Sequence, residues 1–293
     1  VKHFLDEQTP IRTNKRVRLI KGSHIVVPRL YEGNHAFILQ NSDNRIVFVI
    51  PYERDFSVIG TTDIPSEFGE KPVCTPEEIA YLCEIAGHYM QKPVTPADVV
   101  WTYSGVRPLF DDGDDDPSAV TRDYHLEVDA PAGAAPLLSV FGGKITTYRR
   151  LAEHALADLS GFFPHMGNVW TATRPVFDGE MADAPTFEQA FERFVEGAAQ
   201  TKPGLPKELV RVLARRHGSG LGELLEKVKA VADLGQWFGG HLYEVEVRYL
   251  IRDEWAVEPE DVLWRRTKEG LHMTPQQRTA FGAWMAGQRP NFT

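Results

Sequence analysis

The chain has 293 residues, of which 42% are hydrophobic and 25% charged, enough for two domains with sizeable cores. Its formal net charge of −9 argues against nucleic acid as a partner, and no apolar run reaches the ~18 residues of a membrane-crossing helix. The only cysteines, Cys74 and Cys83, have no metal-ligand spacing to His35 or His88 and read as reduced thiols, with no metal site expected.

The chain opens Val1-Lys2-His3 without an initiator Met, which reads as a piece of a longer protein. A basic cluster at Arg12, Lys15, Arg16 and Arg18 suits a solvated face. Short apolar runs at 24–28, 36–40, 45–50 and 56–59, separated by polar turns, predict an antiparallel meander that needs cover on one face. The cover expected is a helix starting at Thr75-Pro76-Glu77-Glu78, a capping box with proline at the first helical position. Its apolar stripe is Ile79, Leu82, Cys83 and Ala86. A further strand at 99–103 ends in Ser104-Gly105-Val106-Arg107-Pro108. The acid-rich run 111–116 lacks the spacing and closing Glu of a calcium loop and reads as solvated. Alternation at 124–128 predicts another strand.

Residues 137–150, LLSVFGGKITTYRR, form the stretch around which the rest of the chain is arranged. A short apolar strand stops at Gly142-Gly143, and Thr146 and Thr147 are good helix N-cap residues. Leu151, Ala152, Ala155, Leu156 and Leu159 then recur at helical spacing. Such a turn aims backbone N–H groups and a helix dipole at whatever lies above it, and Lys144 adds a full charge. An ordinary strand-to-helix connection fits the same residues. Beyond about residue 160 strand patterns give way to helical ones: 187–199 capped by Thr186, 207–217, 221–234, 241–256, 260–269 and 275–286, with glycines between them. The expected fold class is α+β, a mixed or antiparallel sheet region over 1–164 followed by an all-α domain over 165–293.

His24, Arg107, Arg122 and Lys144 all stand where the chain turns beside strands. Arginine's planar fork suits phosphate or carboxylate, and a histidine there could serve as a general base. A structural histidine and surface arginines fit as well, and spacing alone does not bring the four together.

The strings KGSHIVVPRL, RIVFVIPYERDFSVIGTTD, VVWTYSGVRPLFDD, TRDYHLEV, LLSVFGGKITTYRRLAEHAL and VLWRRTKEGL resemble the FAD-dependent, respiratory-type glycerol-3-phosphate dehydrogenases. The resemblance runs from near residue 17 to near 272, and GGKITTYR following GVRP and TRDY is its most specific combination. It implies oxidation of sn-glycerol 3-phosphate to dihydroxyacetone phosphate, with hydride transfer to FAD and electrons passed to a membrane quinone. His24 would be the base, Arg107 and Arg122 substrate and phosphate contacts, and Lys144 the positive group near the flavin. Gly142, Gly143, Thr146 and Thr147 would supply cofactor contacts.

The G-x-G-x-x-G fingerprint that grips the ADP part of FAD in this family is absent from the 293 residues. The expectation is that this stretch alone neither binds FAD tightly nor turns over, and that the loop 142–147 is open to solvent or disordered. The resemblance further implies a peripheral protein on the inner face of the cytoplasmic membrane, although no amphipathic anchor is evident, and a homodimer is compatible with it. Two alternatives remain: a related oxidase that reduces O₂, and a non-catalytic interaction module formed by the helical part.

Overall fold

Strand β1 (Val17–Pro28) is the spine of the first part of the molecule. The computed structural model describes residues 1–111, 123–181 and 184–288, which fall into two compact units, 1–172 and 173–293.

In the first unit, after helix α1 (Lys2–Gln8), β1 pairs on both edges, always antiparallel. One edge takes β4 (Phe56–Gly60) and β5 (Ile64–Pro65). The other takes β6 (Trp101–Phe110), in register from Val17↔Phe110 to Val26↔Trp101. Beyond β4 lie β3 (Ile46–Tyr52) and β2 (Phe37–Gln40), completing six strands. The predicted meander and its cover are both present. Side chains alternate across a strand, so Ile25 and Val27 share a face with Val47, Val49 and Ile59. They pack there on Leu82 and Cys83 of helix α2 (Pro76–Tyr89).

The capping box forms as expected: Thr75 Oγ1 accepts from the Glu78 N–H (3.3 Å), and Glu78 Oε2 accepts from the Thr75 N–H (2.9 Å). Glu78 also reaches back to the sheet, accepting from Thr62 Oγ1 (2.6 Å) and lying 2.9 Å from Lys21 Nζ. Burial pushes its carboxyl up, but these donors outweigh burial and hold it below the usual range.

β1 begins seven residues earlier than the apolar run suggested, and β6 continues past Ser104 to Phe110. Partners in register override weak local propensity, and Pro108 is tolerated because β6 is an edge strand of this sheet. Strands β7 (Tyr124–Asp129) and β8 (Leu137–Gly142) form a separate antiparallel pair, followed by α3 (Tyr148–Leu159). The apolar stripe of α3 is present in sequence, yet none of its residues is buried.

The second unit is helical: α4 (Phe187–Thr201), α5 (Lys207–His217), α6 (Leu221–Leu224), α7 (Glu244–Asp253) and α8 (Pro275–Ala286) close around Phe191, Val195, Leu213, Leu250 and Phe281. Three stretches differ from the helical expectation. A small hairpin, β9 (Trp237–Gly239) and β10 (Leu242–Tyr243), precedes α7 and turns through Gly239 and Gly240 at φ 137° and 51°. The helix expected over 221–234 stops after Leu224. There Lys202 Nζ takes the Leu225 and Val228 carbonyls (2.5 and 3.0 Å), while Asp233 takes the Lys229 and Ala230 N–H groups (2.8 and 2.9 Å). The two carbonyls are thus satisfied without an α-helix, and Asp233 caps a short 3₁₀ turn, Val231–Leu234. Over 260–269 the chain makes one wide turn, Asp261–Arg266, with the Thr267 N–H donating to the Val262 carbonyl (3.0 Å).

A charged cluster lies inside this unit. Arg216 Nη1 donates to both oxygens of Glu246 (3.1 and 3.0 Å) and its Nη2 pairs with Glu269, both carboxylates being fully buried. His217 Nε2 is 2.9 Å from Glu246 Oε1. Burial works against the guanidinium charge, but the two carboxylates outweigh it and raise the Arg216 pKa.

Candidate functional site

Directly opposed residues of an antiparallel pair share a face. The register His24↔Tyr103, Gly22↔Gly105 and Ile20↔Arg107 therefore puts His24 and Arg107 on one face, the one turned away from α2. Two glycines make their seats. At Gly60, which opposes His24 on the other edge, a Cβ would collide with the imidazole, Nε2 being 2.8 Å away. At Gly22 a Cβ would collide with the Arg107 head and stand 2.5 Å from Thr61 Oγ1.

The His24 ring stacks on Tyr103, with centroids 4.7 Å apart and planes 4° from parallel. Its Nδ1 is buried without a hydrogen-bond partner among the described residues. Burial, and after it the positive charge of Arg107, pull the imidazole pKa down from 6.5 to about 4. At neutral pH the ring is therefore uncharged and carries a lone pair able to take a proton.

Arg107 is gripped from the segment after β4. Its Nη1 pairs with Asp63, and its Nη2 donates to Thr61 Oγ1 (2.9 Å). Thr61 Oγ1 in turn donates to the Thr62 carbonyl (2.9 Å), and Thr62 belongs to the Glu78 network. Among the described residues two of the five guanidinium N–H donors are engaged, so the fork is aimed with donors to spare. By sequence alone Asp63 and Thr61 carry no role, since Gly60-Thr61-Thr62-Asp63 reads as the run-out of a strand. Only the register of β1 with β4 and β6 reveals that this run-out meets Arg107.

The turn after β8 has the predicted character. Gly142 and Gly143 take φ values of 73° and 94°, where a side chain is strained. A Cβ on Gly142 would also stand 2.9 Å from the Asp123 carbonyl oxygen and the Phe110 nitrogen, so the turn runs close against the end of β6. Lys144, Ile145 and Thr146 are exposed, Ile145 by 87%. Thr147 stands at the N-cap of α3, but its hydroxyl donates to the Lys144 carbonyl (2.8 Å) and does not cap the helix. Of the four residues expected at the site, His24 and Arg107 come together. Lys144 follows the β8 turn at the Phe110 end of β6, and among the described residues no hydrogen bond or ion pair ties it to them. Arg122 lies outside the described residues.

Comparison with known proteins adds the family. A family model described as FAD dependent oxidoreductase matches residues 3–149, and one described as the C-terminal domain of alpha-glycerophosphate oxidase matches 170–283. A glycerol-3-phosphate dehydrogenase of Pseudomonas aeruginosa is 44% identical over 292 residues, covering 99% of this chain and 56% of the relative. The aerobic glycerol-3-phosphate dehydrogenase of Escherichia coli is 44% identical over 97% of this chain and 56% of its own length. A D-erythritol 1-phosphate dehydrogenase of Brucella abortus is 45% identical over 93% and 53%. The chain thus spans about half the length of these relatives. The crystal structure of a glycerol-3-phosphate dehydrogenase from Bacillus halodurans, complexed with FAD, has the same fold, with a TM-score of 0.70 at 24% identity over 98% of this chain and 59% of that one. The His24–Arg107 face and the glycine turn thus sit in a chain that belongs to the FAD dependent oxidoreductase family.

Proposed function

We propose that the whole protein oxidises sn-glycerol 3-phosphate to dihydroxyacetone phosphate with FAD, and that this chain supplies the substrate side of the site. In this reading residues 1–164 are the substrate-binding sheet with the later part of the FAD-binding region, and 165–293 are a helical C-terminal domain. The observation that carries it is the uncharged His24 beside the Arg107 fork on the sheet face turned away from α2. His24 takes the C2 hydroxyl proton. Arg107, held by Asp63 and Thr61, grips the phosphate and steadies negative charge growing at the C2 oxygen. Arg122 is assigned a second phosphate contact.

The donor set of the β8 turn suits FAD in part. Exposed Lys144, the N–H groups at the start of α3 and the bare backbone of Gly142 and Gly143 fit an electron-rich flavin edge, with Thr146 and Thr147 beside them. These residues would hold the flavin side, while the glycine fingerprint for the ADP side is absent from the 293 residues. When bound, FAD supplies the acceptor for the hydride from C2.

We further assign a membrane quinone as the electron acceptor and a peripheral position on the inner face of the cytoplasmic membrane, with which a homodimer is compatible. The support for the membrane position is an apolar cleft of about 430 Å³ lined by Leu156, Phe162, Phe163, Pro164, His165 and Met166, with Val169 and Trp170, a few residues further along the chain, also exposed. No helix among the described residues is long and apolar enough to cross a membrane. Two specific observations keep alternatives open. The match of 170–283 to an oxidase domain favours O₂ as acceptor. The 45% identical relative named for D-erythritol 1-phosphate favours a four-carbon substrate.

The test is to mix the complete oxidised protein with each polyol phosphate under nitrogen. Bleaching of the flavin by glycerol 3-phosphate with formation of dihydroxyacetone phosphate supports the reading, and bleaching by neither substrate removes it. Peroxide formation in air would identify an oxidase.

A further inference from the structure

The face bearing His24 and Arg107 contains three strand glycines: Gly60 on β4, Gly22 on β1 and Gly105 on β6. Two of them have a packing reason, since a Cβ at Gly60 or Gly22 would run into His24 or Arg107. Gly105 has none among the described residues, because a Cβ there would meet no atom of theirs within 4 Å. It has no backbone reason either. Its φ is not in the left-handed region, and the β1–β6 register runs through it unbroken, so it marks no bulge. A glycine inside a strand weakens it, and the remaining use is to let a ligand or another backbone approach closely.

Position narrows the choice. Gly105 opposes Gly22, over which the Arg107 head lies, and its two same-face neighbours on β6 are Tyr103, stacked on His24, and Arg107 itself. Each neighbour is roughly 7 Å away along the strand. The bare backbone is therefore the floor between the two groups the reaction uses.

We propose that Gly105 is a substrate-binding position: the polyol phosphate lies over its Cα, between the imidazole of His24 and the guanidinium of Arg107. This rests on the reading of that pair as base and phosphate clamp. Gly105 then sets how deeply the substrate seats, and any side chain there competes with it for space.

The test uses Gly105→Ala and Gly105→Val in the complete, FAD-loaded protein, with two readouts besides turnover. These are equilibrium binding of dihydroxyacetone phosphate, followed by perturbation of the flavin absorbance, and flavin content with thermal stability. The expected result for alanine is a rise of about tenfold or more in both the KM for glycerol 3-phosphate and the Kd for dihydroxyacetone phosphate. Valine should have a larger effect, and flavin content and Tm should stay at wild-type values for alanine. Constants within about threefold of wild type for both variants would overturn the proposal. So would loss of flavin or a lowered Tm in Gly105→Ala, which would make Gly105 a packing position against another segment. A wild-type protein that neither oxidises glycerol 3-phosphate nor binds dihydroxyacetone phosphate would refute the assignment of the site itself, and the role of Gly105 with it.

Discussion

Replacing Arg107 by lysine keeps the charge and removes the fork. In the wild type the fork is anchored at two points, Asp63 on Nη1 and Thr61 Oγ1 at 2.9 Å on Nη2, on a side chain 29% exposed. A lysine has one nitrogen on a flexible stem, so it cannot be held by Asp63 and Thr61 and also meet a phosphate in a fixed plane. A hydrogen bond to a charged group is worth about 1.5–3 kcal/mol. At 1.4 kcal/mol per decade, losing one from the substrate grip costs roughly ten- to a hundredfold in kcat/KM. If Arg107 grips the phosphate equally before and during reaction, the loss falls in KM. If it also steadies charge at the C2 oxygen, kcat falls too. The assay is steady-state kinetics of wild type and Arg107→Lys on glycerol 3-phosphate and on free glycerol, with flavin content measured in both. Glycerol lacks the phosphate, so a pure phosphate contact leaves its slow oxidation unchanged. An unaltered kcat/KM for glycerol 3-phosphate would refute the reasoning and remove Arg107 from the site.

His24 should leave a mark on acid stability. Its folded pKa of about 4 lies below the ordinary 6.5, so the unfolded chain takes up the proton first as pH falls. The folded state therefore loses stability between pH 6.5 and 4, by up to about 3 kcal/mol. Urea unfolding at pH 7 and 4.5 should show a smaller acid loss in His24→Asn than in wild type, and equal losses would contradict the placement of a buried neutral imidazole. In the helical unit, Arg216→Met leaves Glu246 and Glu269 buried without their guanidinium. It should cost about 3–5 kcal/mol, much of it recovered when both glutamates are also made glutamine. A loss under about 1 kcal/mol in the single variant would contradict the buried network.

The elements readable from sequence are those whose signal is local. The capping box at Thr75, the N-cap at Thr186, the alternation in 45–50 and the apolar stripes of 207–217 and 275–286 need no distant partner to be recognised. What is illegible depends on contacts far along the chain. β6 runs through Gly105 and Pro108 because β1 supplies a partner at every position. The α-helix ends at Leu224 where Lys202, more than twenty residues earlier, takes the Leu225 and Val228 carbonyls. The site divides in the same way. His24 and Arg107 can be named from residue type and family resemblance. Their seats at Gly60 and Gly22, the Tyr103 stack and the Asp63 anchor emerge only from register. The apolar stripe of α3 marks a helix, but helical spacing does not say what covers it, and none of it is buried in this unit.

The central claim is that His24 takes the C2 hydroxyl proton while the C2 hydride leaves for FAD. The most direct test is the rate of flavin reduction in one anaerobic turnover, with glycerol 3-phosphate carrying protium or deuterium at C2, in wild type and in His24→Asn. Wild type should be reduced and slowed by deuterium, and His24→Asn should be reduced about 10²- to 10⁴-fold more slowly at unchanged flavin content. Reduction of His24→Asn at the wild-type rate, or no reduction of the wild-type flavin at all, would contradict it.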